Sequence, residues 1–255
     1  MNLAISLRSE ILKTKRTASL YFTLIGAAVV PVIFLMNVLL DEDGIDATRK
    51  NPLNALFKLL SEMNGLAFFP WFIILICTLL PQIEYRHNTW KQVFTSPQTK
   101  ADVFMAKFVN IHLLMLLFMV STHLFMFIAI VFASSIKPAL GFFNHPLDGR
   151  TVFLNAANAY VTMLAVCAIQ FWIGLRFKNF IVPIAVGLAL WLTGTILVLQ
   201  FNSSIAKYFP YSFQAFNLSP KHKPYLDQVA WTSAGYAVLI FFIAYLDFRG
   251  REINK

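Results

Sequence analysis

Six long apolar stretches constrain the fold of this chain more than any other feature of its sequence. They occupy residues 18–40, 65–83, 108–133, 152–175, 180–201 and 229–246. Each is close to the roughly 20 residues that a helix needs to cross the hydrocarbon core of a bilayer. We therefore predict an all-α polytopic membrane protein with six transmembrane helices. The polar connections are too short for a separate soluble domain, so we expect one transmembrane domain over residues 1–255.

The composition excludes a soluble protein. Charged residues make up 13% of the chain, about half the roughly 25% of soluble domains, and 26 phenylalanines cannot all be hidden inside a soluble body of this size. The net charge of +9 has a simple source in the lysines and arginines that flank membrane helices. The expected surrounding is membrane lipid, and no nucleic-acid partner is expected.

The basic residues predict the orientation of the chain in the membrane. If the N-terminus is inside, the inner segments hold 13 of the 21 lysines and arginines and 5 of the 12 acidic residues. The net charge is then +8 inside and +1 outside. Because basic residues concentrate in cytoplasmic loops, we expect both termini in the cytoplasm.

A short helix is predicted ahead of the first span. Leu3, Leu7 and Ile11 repeat at intervals of four residues, with charged residues elsewhere around the turn. This pattern is typical of an N-terminal interfacial helix that buries its aliphatic face at the membrane surface. A frayed, solvated tail is the alternative.

The connection between the second and third spans carries the most information. Trp90, Val93 and Phe94 form a small apolar face with helical spacing. Pro97 ends this helix, because the residue before a proline is disfavoured in the helical region. Residues 99–102, Thr-Lys-Ala-Asp, have the capping pattern that begins a helix. We predict a short exposed helix that faces a cytoplasmic partner; an ordinary solvated connection is the alternative.

The residues of this connection resemble the signature of the type-2 ABC exporter permeases. The run that begins at Glu84 reads Glu-Tyr-Arg-His-Asn-Thr-Trp-Lys-Gln-Val-Phe-Thr-Ser-Pro, and Lys107 follows it. In that family an acidic residue closes the second helix, a Thr-Trp-Lys-like segment forms the coupling helix, and a lysine lies near the start of the third. The similarity is closest to the lantibiotic-immunity and bacitracin-export permeases. Asn88 departs from the pattern, since glycine is common there.

This resemblance implies a half-transporter in a bacterial cell (inner) membrane. Two permeases, either two copies or this chain with a related one, would join a pair of cytoplasmic ABC ATPase subunits. The residues assigned to coupling are Glu84, Arg86, Thr89, Trp90, Lys91 and Phe94. The sequence has no G-x-x-x-x-G-K-[ST] phosphate loop, so we expect no enzyme activity and no cofactor in this chain. ATP and Mg²⁺ are expected on the partner ATPase.

A few polar side chains within the predicted spans are candidates for a translocation path. Asn155, Asn158 and Thr162 form a stripe on the fourth span, and Gln170 lies deeper on a somewhat different face. These groups either line an exit path or form interhelical hydrogen bonds, and the sequence leaves both interpretations open.

Histidines and cysteines in the spans give no sign of a metal or catalytic site. His112 and His123 are about 16 Å apart along the third span, at about 1.5 Å per residue, so they cannot share a metal ion. Cys77 and Cys167 lie in apolar runs and are expected to be buried thiols without a disulfide.

The remaining features concern packing and the outer loops. Gly187 and Gly194 predict close packing of the fifth span, possible between subunits. Residues 41–64 predict a short amphipathic helix on the outer surface, and residues 202–228 hold aromatic residues suited to an interfacial belt or to an external gate.

The leading functional hypothesis is the permease subunit of an ATP-driven exporter of an amphipathic peptide, an antibiotic or a lipid-like compound. One alternative is ABC export of a polysaccharide or a small ion. Another, from a different class, is a secondary transporter or a membrane scaffold without an ATPase. The lack of acidic residues within the predicted span cores weighs against ion-coupled transport.

Overall fold

The computed structural model of the chain describes residues 3–15, 17–40, 51–95 and 98–250. The Ser96-Pro97 break and the side chains of Lys91 and Phe94 lie outside the described residues. Within those ranges the chain forms helices and turns and no strand, which confirms the all-α prediction. The α-helices are α1 Leu3–Lys15, α2 Ala18–Leu40, α3 Pro52–Met63, α4 Phe69–Arg86, α5 Trp90–Thr95, α6 Lys100–Ile136, α7 Gly149–Thr162, α8 Leu164–Arg176, α9 Ile181–Leu199 and α10 Leu226–Arg249.

Among the described residues, five helical units are long and apolar enough to cross a membrane, and a bent pair makes a sixth. The five are α2, the unit Pro52–Arg86, α6, α9 and the unit Lys223–Arg249, and the bent pair is α7 with α8. The prediction of a six-span protein is therefore confirmed by length and composition. We call the end of the bundle that carries α5 the α5 end, and the other the opposite end.

The short amphipathic helix predicted within residues 41–64 is present as α3, but its apolar face is buried inside the protein and does not lie on the outer surface. It continues into α4 through a π-helical turn, Asn64–Phe68. Leu53, Leu56 and Leu60 are buried against α2 and α6, while Leu59 is exposed. Because neighbouring helices cover the apolar face of α3, this face needs no membrane surface. Residues 41–50 lie outside the described part of the chain.

The N-terminal helix α1 forms where it is predicted, but a different face is buried. Ser6, Glu10 and Thr14 are the buried residues, at intervals of four, and α1 packs against α6. Leu3 is exposed, and Leu7 and Ile11 are only partly buried. The protein therefore uses the polar face of α1 for packing, and the aliphatic residues lie around its outer side.

The fourth span is broken near its middle. The helices α7 and α8 meet at Met163 with a bend of 40°. The Ser233 hydroxyl of α10 fills the break, since it donates to the Thr162 carbonyl (3.0 Å) and accepts from the Ala165 N–H (3.1 Å). The Thr162 hydroxyl donates to the carbonyl of Asn158 (2.8 Å), a bond that favours helix bending. One serine thus satisfies backbone groups that the bend frees.

Most of the aromatic residues in the last loop lie inside the protein, which corrects the prediction of an interfacial belt. The segment Pro210–Leu218 forms 3₁₀ turns that pack on α9, and Tyr211, Phe213 and Phe216 are buried. The Gln170 amide donates to the Tyr211 hydroxyl (2.8 Å), so this side chain reaches well into the bundle. Tyr208 and Tyr225 are the exposed aromatic residues of this loop, at 67% and 37%.

Gly187 and Gly194 permit close packing within the chain, which corrects the suggestion of a subunit contact. A Cβ atom on Gly194 would lie 2.1 Å from the Tyr211 carbonyl oxygen, and one on Gly187 would lie 2.3 Å from the Gln170 amide nitrogen. These glycines therefore make room for the 3₁₀ segment and for a buried amide.

Cys77 and Cys167 are buried free thiols, as predicted. Their sulfur atoms lie 3.9 Å apart between α4 and α8. Next to them, a Cβ on Gly174 would lie 2.3 Å from the Cys77 carbonyl oxygen, so α4 and α8 pack closely at this level.

Candidate functional site

The predicted short helix between the second and third spans is present as α5, Trp90–Thr95. The chain leaves α4 at Arg86 and turns at Asn88, whose φ of 51° is in the left-handed region. Asparagine and glycine tolerate this conformation better than other residues. Glycine, which is common at this position in the family that the sequence resembles, fits the same left-handed turn.

The side chain of Trp90 attaches α5 to three spanning helices. Its ring centroid lies 5.4 Å from that of Tyr85 on α4 and 5.9 Å from that of Phe248 on α10. The Lys107 ammonium of α6 lies 5.6 Å from the same indole. The structure thus places Trp90 in half-buried contact with its own chain. A movement of α5 would reach α4, α6 and α10 through this side chain.

A buried charge cluster lies beside α5 and consists of Glu10, Lys13, Glu84 and Lys107. The Lys107 ammonium lies 2.9 Å from a Glu10 oxygen and 3.1 Å from a Glu84 oxygen. The Lys13 ammonium lies 2.8 Å from Glu10 and 2.6 Å from Glu84. Two carboxylates and two ammonium groups compensate one another, as buried charges require.

Further polar contacts connect this cluster to its surroundings. The Thr89 hydroxyl donates to the Glu84 carboxylate, so the turn before α5 is bound to the cluster. The Asn110 amide of α6 donates to the Thr14 hydroxyl of α1 (2.7 Å). Burial lowers the pKa of Lys13, but Glu10 and Glu84 together raise it above the usual value. The cluster therefore joins α1, α4 and α6.

The predicted coupling residues divide into two groups. Glu84, Thr89 and Trp90 bind or pack within the chain. Arg86 is exposed. The exposed surface around α5, which we call the α5 surface, consists of Arg86, His87, Asn88, Gln92 and Thr95. This surface is available to a partner, while the other group holds it in place.

A cavity of about 610 Å³ lies at the opposite end of the bundle. It is bounded by α3, α7, the segment Pro210–Leu218 and the start of α10. Asn155, Asn158 and Thr162 all line it, so the structure brings together three of the predicted path residues. The other lining groups include Phe57, Val152, Phe213, Ser61, Gln214 and Asn217. Its wall therefore combines neutral polar groups with apolar ones.

Gln170, the fourth predicted path residue, does not line this cavity. It is fully buried between α8 and α9, where its amide donates to the Tyr211 hydroxyl. Gln170 lies seven positions after Met163, where the span bends, so its face cannot be extrapolated from the stripe on α7.

Sequence reasoning missed Glu10 and Lys13 in the charge cluster and Gln214 in the cavity. Glu10 could have been found from the sequence, because Ser6, Glu10 and Thr14 repeat at intervals of four residues and so share one face of the helix. The aliphatic residues of α1 repeat at the same interval. Gln214 has no such signal, because the 3₁₀ turns that place it lack helical periodicity.

His112 and His123 have different hydrogen-bond partners. His112 forms a hydrogen bond with the Tyr160 hydroxyl (2.7 Å), and His123 bonds to the Met119 carbonyl (2.8 Å). Within the described ranges, no group of three or more His, Cys, Asp or Glu side chains could hold a metal ion.

The fold and these two regions define a class of protein, a multi-pass helical membrane transport protein. It has a short helix attached to three spans at one end and a cavity with polar side chains at the other. A family model described as ABC-2 family transporter protein matches residues 6–194, and the chain belongs to this family. It is therefore a membrane transport subunit whose family implies an ABC ATPase partner. A search of curated proteins found no match to the chain.

Proposed function

We propose that this chain is the permease subunit of an ATP-driven exporter and that a cytoplasmic ABC ATPase pair docks on the α5 surface. One observation carries the proposal: α5 has an exposed face, and its other face is attached to the spanning helices. Its exposed residues can meet a partner, while Trp90 and Thr89 connect it to the spanning helices. ATP and Mg²⁺ bind to the ATPase in this scheme.

The contacts of α5 suggest how ATPase movement would reach the membrane. Displacement of α5 shifts Trp90 against the ends of α4 and α10, and it pulls on Glu84 through Thr89. Because Glu84 is paired with Lys107 and Lys13, α1 and α6 move with it. The four helices would respond as one unit.

The proposed cargo is an amphipathic peptide, an antibiotic or a lipid-like compound, as in the lantibiotic-immunity and bacitracin-export permeases. The cavity supports this proposal because neutral amides such as Asn155 and Asn158 lie beside apolar groups such as Phe57 and Phe213. Its volume of about 610 Å³ falls within the roughly 300–1,000 Å³ of small-molecule sites. A polysaccharide or ion exporter, or a membrane protein without an ATPase, is the competing function.

The proposed setting is a bacterial inner membrane with both termini in the cytoplasm, so that the cavity lies at the outer end. The permease pair would be formed by two copies of this chain or by this chain with a related one. The charge asymmetry of the sequence supports the orientation.

A matched pair of substitutions tests the docking site. Gln92→Trp places a large side chain on the α5 surface, whereas Gln228→Trp makes the same change at an exposed position of α10 at the opposite end. We expect Gln92→Trp to lower the ATPase recovered with the chain from membranes by about tenfold or more, since a clash at a packed interface removes hot-spot contacts. Equal recovery with both variants would contradict docking at α5.

Trp90→Ala tests transmission separately. We expect ATPase activity that no longer responds to cargo, because the connection to α4 and α10 is lost. Trp90→Phe, which keeps an aromatic ring, is the control and should retain most of the response. An unaltered response in Trp90→Ala would show that this side chain does not couple the two parts.

A peptide-tolerance assay in cells tests the class of cargo. Cells with the chain and its ATPase should tolerate more of a membrane-active cationic peptide than cells whose ATPase cannot hydrolyse ATP. If a peptide panel shows no difference while the purified complex carries a labelled sugar polymer or an ion into vesicles, the peptide proposal is wrong and ABC export remains.

A further inference from the structure

Three buried hydrogen-bond acceptors have no partner in the described part of the chain, and they lie around the cavity of about 610 Å³, which we call the outer cavity. They are Gln214 Oε1, Asn64 Oδ1 and His123 Nε2. Gln214 is 94% buried and lines the 610 Å³ cavity. Asn64 and His123 line a second space of about 20 Å³, which we call the annex. Ser61, Gly65, Asn155 and Ala159 line both spaces, so the annex adjoins the cavity.

All three groups act as acceptors. A carbonyl accepts hydrogen bonds, so His123 Nδ1, which bonds to the Met119 carbonyl (2.8 Å), must carry its proton. In the tautomer that this bond requires, Nε2 carries the lone pair and accepts. The amide oxygens of Gln214 and Asn64 are acceptors by nature. Buried polar atoms without partners are costly, which indicates that something else supplies the donors.

The complementary group is one that only donates. A hydroxyl both donates and accepts, whereas an ammonium group donates up to three hydrogen bonds and accepts none. The annex is large enough for a group the size of a water molecule or an ammonium. The carboxylates of Glu62 and Asp148 line the cavity together with the ammonium groups of Lys58 and Lys223, so the charged residues around it are balanced.

We propose that the outer cavity binds the primary ammonium group of an amphiphile, with its N–H donors directed to Gln214 or into the annex. The apolar part of the ligand lies along Phe57, Val152 and Phe213 in the cavity. This inference rests on the proposed function, since it specifies the chemistry of the cargo in the same cavity.

A pair of fluorescent amines tests the proposal on the chain in phosphatidylcholine nanodiscs without ATPase. Dansylcadaverine has a primary ammonium group, and its quaternary trimethylammonium analogue has the same charge but no N–H donor on the cationic group. We expect saturable binding of dansylcadaverine above that of empty nanodiscs, and binding of the analogue weaker by about ten- to a hundredfold, the usual effect of losing a hydrogen bond to a charged group.

Variants connect this binding to the acceptors. Gln214→Leu should weaken dansylcadaverine binding by about tenfold if the ammonium donates to Gln214, and His123→Phe should do so if it enters the annex. Gln82→Leu, which changes another buried glutamine at the α5 end, should leave it unchanged. The unfolding temperature of each variant shows whether it is folded, and His123→Phe keeps a ring next to Phe57, 6.3 Å away.

Two outcomes overturn the inference. Equal affinity for both amines would show that donors are not recognised, and unchanged binding in both acceptor variants would show that the acceptors bind only water. Displacement of dansylcadaverine by a lysine-bearing apolar peptide or by phosphatidylethanolamine identifies the natural source of the ammonium group, and displacement by neither contradicts the inference. Because no ATPase is present, failure of the docking proposal leaves these measurements unaffected.

Discussion

Replacing Lys107 by methionine tests whether the buried charge cluster holds the α5 end together. Lys107 is 1% exposed and lies within 3.1 Å of carboxylate oxygens from both Glu10 and Glu84. Methionine fills a similar volume, but the change leaves two buried carboxylates facing a single cation, Lys13. Lys13 is 32% exposed and cannot compensate both. Breaking a buried pair in this way typically costs about 3–5 kcal/mol.

This cost has a measurable size and a matched control. We expect Lys107→Met to lower the unfolding temperature of the chain in nanodiscs by roughly 10 °C, at about 2–4 °C per kcal/mol. Lys58→Met makes the same change at a lysine that is 68% exposed and lies 3.9 Å from Glu62. Because exposed ion pairs contribute about 0–1 kcal/mol, this control should unfold near the wild-type temperature.

A double variant separates charge from packing. Lys107→Met combined with Glu84→Gln leaves Glu10 and Lys13 as a balanced pair. It should therefore recover about 2 kcal/mol or more of the loss. If the two changes add without recovery, or if Lys107→Met is no worse than Lys58→Met, the reasoning about an uncompensated buried charge is refuted.

Three further predictions follow from the backbone and the orientation. Gly194→Ala should lower the free energy of unfolding by about 1–3 kcal/mol, because the new Cβ would collide with a backbone carbonyl. Gly235→Ala, where the Cβ would meet open space, should raise it by up to about 1 kcal/mol. Equal unfolding temperatures for the two variants would contradict this. Asn88→Gly should be tolerated, and Asn88→Val should cost about 1–2 kcal/mol, measured by the same unfolding assay. With the native cysteines replaced by alanine, an impermeant maleimide should label Gln92→Cys only in broken cells and His145→Cys in intact cells; the reverse result would invert the orientation.

The spans could be predicted because hydropathy is a local property of the sequence. Each stretch of about 20 apolar residues has one stable arrangement in lipid, a helix with all its backbone groups paired. The start of α6 could also be predicted, because it depends on neighbouring residues. The Thr99 hydroxyl accepts a hydrogen bond from the Asp102 N–H (3.0 Å), as the capping pattern predicts. The length of the unit Pro52–Arg86 could not be predicted, because its first part packs against α2 and α6, which are distant in sequence.

The face that a helix buries is set by its neighbours and is not local. In α1 both the aliphatic and the polar residues repeat every four positions, so periodicity alone cannot decide between them. The decision comes from Lys107 and Asn110 on α6, about a hundred residues away, which provide partners for Glu10 and Thr14. Likewise, the buried position of the segment Pro210–Leu218 depends on Gly194, where the missing Cβ allows two backbones to meet.

The coupling signature contains residues of two kinds, and only the structure separates them. A motif resembling a coupling helix suggests that its most distinctive residues, an acidic residue and a tryptophan, face the partner. Glu84 is instead 1% exposed and ion-paired, and Trp90 packs between Tyr85 and Phe248. If Glu84 or Trp90 contacted the partner directly, it would have to break its present contacts with the spanning helices. We therefore infer that the partner contacts the less distinctive exposed residues, such as Gln92, while the signature residues fix the position of α5 against the spans.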